Sequence, residues 1–167
     1  MPKVVVIYDS KTGFTESMAK AVVEGVRDVK GVEGELLKVG TPYSVSQLDK
    51  VDAIILGSPT YYGDVTPEMK TFFETIKGHK ETNKLKLSGK KGGIFAAYTW
   101  DKGWVIEKLQ VFMNILGIDV VASPVSALDR MGGSIFHGGK IPLLRIDEKS
   151  LQRCRELGRA VATNLMS

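Results

Sequence analysis

A doubly wound α/β sandwich, three layers around a five-stranded parallel sheet, is the fold class this sequence predicts. Three observations carry it: five short apolar runs rich in β-branched residues, amphipathic helical stripes between them, and a single cysteine that rules out a disulfide-stapled scaffold.

The apolar runs are Val4–Tyr8, Leu36–Val39, Ala53–Leu56, Gly92–Ala97 and Asp119–Ala122. Continuous rather than alternating apolarity suits parallel strands buried on both faces. Helices are expected between them. Met18, Val22, Val26 and Val29 share one helical face, as do Met69, Phe72, Phe73 and Ile76, and then Val105, Leu109, Phe112 and Leu116. A shorter helix is expected near Ser44–Lys50. The last helix starts after Asp147 as its N-cap and turns Leu151, Cys154, Gly158, Val161 and Leu165 inward. Right-handed crossovers then place any ligand at the carboxyl ends of the strands, beside the switch point of the strand order.

Composition sets the outer limits. A chain of 167 residues, 43% hydrophobic and 25% charged, reads as one globular domain over 1–167 that buries a core without staples. Cys154 offers neither an internal disulfide nor a zinc pattern, and no metal site is expected. The apolar runs fall far short of the ~20 residues that span a bilayer. The opening Met-Pro-Lys leads directly into the first run, with no secretory pattern, so the expectation is a cytoplasmic protein without membrane attachment. The net charge of +4 comes without a nucleic-acid recognition motif or a basic helix, and no nucleic-acid partner is expected.

Chemistry is expected in three loops. Ser10-Lys11-Thr12-Gly13-Phe14-Thr15 follows the first strand and offers three hydroxyls, successive backbone N–H groups and one glycine ahead of a helix. That is a nest for one phosphate group. It matches neither GxGxxG nor GxxxxGK[ST], so a phosphomonoester fits it better than a dinucleotide or a nucleoside triphosphate. After the third strand comes Pro59-Thr60-Tyr61-Tyr62-Gly63, and after the fourth Tyr98-Thr99-Trp100. Two aromatic loops at one sheet edge can enclose a planar ligand. Capping of the core is the plainer alternative for any single ring among them.

These residues carry a resemblance. The loop Ser10 to Thr15, placed before two aromatic loops, resembles the phosphate loop of flavodoxin-like proteins, and the order of the loops matches that family over essentially the whole chain. Gly57-Ser58-Pro59-Thr60-Tyr61-Tyr62-Gly63 resembles the flavin loop of flavodoxin-like NAD(P)H:quinone oxidoreductases, the tryptophan-repressor-binding-protein type. Tyr61-Tyr62 stands where that family usually has Arg-Phe, and its histidine-containing fourth-strand loop is absent. Ala97-Tyr98-Thr99-Trp100 is instead similar to the fourth-strand loop in the flavodoxin domains of A-type flavoproteins.

The resemblance implies the flavodoxin-like strand order 2-1-3-4-5 and non-covalent FMN. Ser10, Lys11, Thr12, Gly13, Phe14 and Thr15 would hold its phosphate; Pro59, Thr60, Tyr61, Tyr62, Gly63, Tyr98, Thr99 and Trp100 would surround its ring. It also implies either an oxidoreductase passing electrons from NAD(P)H to a quinone or other small acceptor, or an electron carrier docking with protein redox partners, and it leaves oligomerisation open.

His137, in the glycine-rich segment Gly132–Gly139, is a candidate proton donor to reduced flavin or quinone, against the plainer reading of a solvated loop histidine. His79 lies in the charged Lys77–Lys86 connection and receives no role. A phosphorelay receiver needs an acceptor aspartate where the third strand ends in Gly57-Ser58-Pro59. A low-molecular-weight phosphatase needs a cysteine in the first loop, and Cys154 lies near the far terminus.

Overall fold

The computed structural model describes residues 1–129 and 146–167. The elements run β1 (Lys3–Tyr8), α1 (Phe14–Arg27), β2 (Glu33–Lys38), α2 (Val45–Asp49), β3 (Ala53–Pro59), α3 (Pro67–Glu81), β4 (Lys91–Tyr98), α4 (Val105–Leu116), β5 (Asp119–Val120), β6 (Val125–Leu128) and α5 (Glu148–Leu165). All pairings between these strands are parallel, in the order β2-β1-β3-β4-β5, with β6 also on β4. This is the expected flavodoxin-like order with one modification at its edge.

That modification corrects the fifth strand. Asp119–Ala122 was expected as one continuous run, whereas β5 stops at Val120 and pairing resumes only at Val125. Lys91–Gly92 of β4 pair with β5 and Phe95–Tyr98 pair with β6. Five steps along the fifth strand, from Val120 to Val125, thus match three along β4, from Gly92 to Phe95. The extra residues include Pro124, which has no N–H to give a ladder. At the other edge β2 begins at Glu33 rather than Leu36. Its first residues, Glu33 to Glu35, are exposed or half-buried at this edge, and Lys3 covers them with ion pairs to Glu33 and Glu35 at 3.6 and 3.1 Å.

Alternation along the sheet divides the core in two. Val5, Ile7, Ile54 and Leu56 face α3 and α4, where Phe73 and Phe112 stack with ring centroids 3.9 Å apart. Val4, Val6, Ala53 and Ile55 face α1 and α5, among Met18, Val22, Val26, Cys154 and Val161. The helical stripes hold, with Leu157 joining the inner face of α5 and Val29 falling just past the end of α1. Caps place the helix starts: the side chains of Ser44, Thr66 and Asp147 accept from the N–H groups of Gln47, Met69 and Ser150.

Cys154 is fully buried, and burial pushes its thiol up to about 12 from 9.0. Tyr8 is pushed up to about 12 from 10.0, first by burial and then by its hydrogen bond to Glu16 at 2.8 Å. Both groups keep their protons in the folded chain to higher pH than in the unfolded one. Their contribution to stability is therefore whole below about pH 9 and is lost as pH rises toward 12. Urea midpoints are expected to fall over that window, and less steeply in Cys154→Ala; an equal slope in the two proteins would contradict this origin.

Candidate functional site

The carboxyl ends of β1, β3 and β4 carry the three loops singled out in the sequence. The first winds tightly. The Ser10 hydroxyl accepts from the N–H groups of Gly13 and Glu16, at 3.0 and 3.3 Å, and folds the loop over the start of α1. Gly13, left-handed at φ 91°, is the N-cap and supplies no side-chain cap. The Thr15 N–H in the first turn has no acceptor among the described residues. The 14-residue helix α1 thus starts at a glycine with no capping side chain of its own, the Ser10 hydroxyl reaching the Glu16 N–H from the loop before it, with Thr12 exposed beside it; that is a donor set suited to an anion.

Two further members of this loop have defined surroundings. The Phe14 ring is buried in the core. The Lys11 ammonium lies 2.6 Å from Glu68 in the first turn of α3 and 3.9 Å from Asp9. Its hydrogen bond to Glu68 raises the lysine and lowers the carboxyl. The loop's one cation therefore lies against neighbouring carboxylates.

Asp9, which the sequence reading passed over, closes the floor. Its Oδ1 accepts from the Ser10 N–H at 2.9 Å, and its own N–H donates to the Gly57 carbonyl at 3.1 Å, where β1 meets β3. Oδ2 is buried without a hydrogen-bond donor. The Lys11 ammonium stands 3.9 Å from that oxygen without hydrogen-bonding it, and a buried carboxylate oxygen that lacks a donor suits a site that receives one from a ligand or water. Its signal in the sequence was a charged residue directly following an apolar strand.

The second loop is a two-residue hairpin. Tyr61 and Asp64 exchange backbone hydrogen bonds of 2.8 and 3.0 Å, and the tip residues Tyr62 and Gly63 both have positive φ, 48° and 81°. That is the pattern of a type I′ turn, which usually has Asn or Gly at the place Tyr62 holds. Tyr62 is 92% exposed and Tyr61 45%, with the rings edge to face at 4.7 Å, so neither caps the core. Thr60 roots the hairpin on β4, its N–H and hydroxyl both donating to the Ala97 carbonyl. Trp100 of the third loop is 68% exposed, and the Lys102 ammonium sits 5.4 Å from the Tyr98 ring centroid. Three solvent-facing rings beside an anion site fit a phosphorylated planar cofactor.

An open groove of about 730 Å³ runs from Tyr61 and Tyr62 along the exposed face of α3 past Lys70 and Glu74. His137 and Gly132–Gly139 lie outside the described residues. Among the described residues no cluster of ligating side chains could hold a metal ion, and no helix is long and apolar enough to cross a membrane.

The flavodoxin family model matches residues 6–158, which includes all three loops. The chain belongs to the flavodoxin family. It is 29% identical to a flavodoxin of Aquifex aeolicus, over 97% of this chain and 86% of that one. It is 31% identical to an NAD(P)H dehydrogenase (quinone) of Chromohalobacter salexigens, over 83% of this chain and 82% of the relative. A solved flavodoxin from the domain Archaea superposes with a TM-score of 0.77 at 23% identity, covering 99% of both chains, and supports the fold. Family membership implies a flavin cofactor and an electron-transfer role.

Proposed function

We propose that this flavodoxin-family chain binds one FMN without a covalent bond and works as an oxidoreductase, taking electrons from NAD(P)H and passing them to a quinone or another small acceptor. The carrying observation is the juxtaposition of an anion site at the start of α1 with the exposed rings of Tyr61, Tyr62 and Trp100. A phosphate at one end and a flat ring at the other select a flavin mononucleotide over an unphosphorylated flavin.

Bound FMN supplies two-electron and one-electron redox chemistry. The protein's residues hold and shape it. The Thr15 N–H at the start of α1 and the hydroxyls of Ser10, Thr12 and Thr15 bind the phosphate, aided by the α1 dipole. Pro59 to Gly63 and Tyr98 to Trp100 line the ring and limit its contact with water. The groove beside Tyr61 and Tyr62 offers a small co-substrate room next to the ring, which supports the enzyme reading. The exposure of Tyr62 and Trp100 supports a second reading, a carrier whose flavin edge meets a protein redox partner. His137 is proposed as a proton donor in the first reading only.

Anaerobic spectroscopy separates the two. If the FMN-loaded protein bleaches within seconds of adding NADH or NADPH and recovers its colour with benzoquinone, the enzyme reading stands. Stable colour with both nicotinamides, together with bleaching by dithionite, rejects it in favour of the carrier.

A further inference from the structure

The hairpin and the fourth-strand loop meet backbone to backbone. The Gly63 carbonyl accepts from the Trp104 N–H at 2.6 Å. A Cβ placed on Gly103 would lie 2.3 Å from the Gly63 carbonyl oxygen and 2.6 Å from both its carbonyl carbon and its Cα. Gly103 is itself left-handed, at φ 56°, in a turn closed by the Asp101 carboxylate, which accepts from the Gly103 N–H at 3.1 Å. Asp64, next to Gly63, adds ion pairs to Lys70 of α3 at 3.5 Å and Lys108 of α4 at 3.9 Å. Backbone contact therefore sets the distance between the loop carrying Tyr61 and Tyr62 and the loop carrying Trp100.

We propose that Gly103 is a positioning residue for the flavin ring: its bare Cα lets the two aromatic loops latch at Gly63 and so fixes the slot between them. The proposal rests on the flavin reading above. A methyl group at Gly103 forces the latch open, because the atoms it meets are backbone and have no rotamer to escape into. Both loops lie at the surface, with Tyr62, Trp100 and Trp104 exposed, rather than in the core. The bound state needs them closed, so the cost falls on affinity more than on folding.

The test titrates apoproteins with FMN and with riboflavin, following flavin fluorescence, alongside thermal melts. Gly103→Ala is expected to weaken both flavins by the same factor, about 10- to 100-fold, because the phosphate loop is untouched. Gly89→Ala is the control. It puts a side chain at φ 89° in open space, in the turn before β4 and so at the other end of the sheet, and should cost comparable thermal stability while binding FMN as the wild type does. Gly103→Ala within twofold of wild type for FMN overturns the proposal, and so does a loss confined to FMN. If Gly103→Ala does not fold, Asp101→Ala frees the same turn without a clash and should weaken both flavins about 3- to 10-fold, while Asp101→Asn, which keeps an acceptor, restores them. Equal affinity in Asp101→Ala and wild type then overturns it. A wild-type protein that binds neither flavin removes the flavin reading and the latch with it.

Discussion

Gly158→Ala is expected to lower the melting temperature by about 4–8 °C, and Gly158→Leu to prevent folding at 37 °C. Gly158 sits where α5 crosses α1, and a Cβ there would lie 1.9 Å from the Val22 carbonyl oxygen. The contact is reciprocal, since a Cβ on Gly25 of α1 would lie 1.9 Å from the Arg155 carbonyl oxygen of α5. Two effects oppose each other in the alanine variant. Helix propensity favours alanine over glycine by about 1 kcal/mol. Overpacking against an immovable backbone costs about 3 kcal/mol, because the helices must separate and loosen Val22, Val26, Cys154 and Val161 together. The clash wins by about 2 kcal/mol, and each kcal/mol is worth about 2–4 °C in a chain of this length. A thermal melt of Gly158→Ala that matches or exceeds the wild type would mean that α1 and α5 do not cross backbone to backbone.

Thr12→Asp should produce the largest functional loss. Thr12 is exposed in the phosphate loop, and an acidic residue before a helix N-terminus is compatible with folding, so the variant should melt no lower than the wild type. It places a negative charge beside a bound phosphate. With an effective dielectric near 20–40 at the protein surface, repulsion of about 2–3 kcal/mol is expected, or a loss of ~30- to 150-fold in FMN affinity. Riboflavin, which has no phosphate, should bind this variant and the wild type alike. Equal losses for the two flavins would show that the loop does not hold the phosphate.

How much was legible follows from how local each signal is. β1 and β3 lie mid-sheet, buried on both faces, and their apolar runs stand out in sequence. β2 is an edge strand, so Glu33 to Glu35 look like loop until Lys3 is seen against them. The break between β5 and β6 hangs on a register difference with β4 that no single strand displays. The place of the three hydroxyl-bearing or aromatic loops at the carboxyl ends of β1, β3 and β4 was legible because each directly follows an apolar run. The Lys11–Glu68 pair was not legible because the two residues are distant in sequence, nor was the inward turn of the Phe14 ring, which the loop's sequence does not display. The Gly63–Gly103 contact left no trace either: Asp101-Lys102-Gly103 reads as an ordinary turn, and its meaning is a long-range approach of two backbones.

The central claim, a phosphate site joined to an aromatic ring slot, is tested most directly by titrating the flavin-free protein with FMN while recording fluorescence. The account predicts quenching that saturates at one equivalent, with riboflavin bound more weakly under the same conditions. Unquenched fluorescence at a large excess of protein, or riboflavin bound as tightly as FMN, would contradict it.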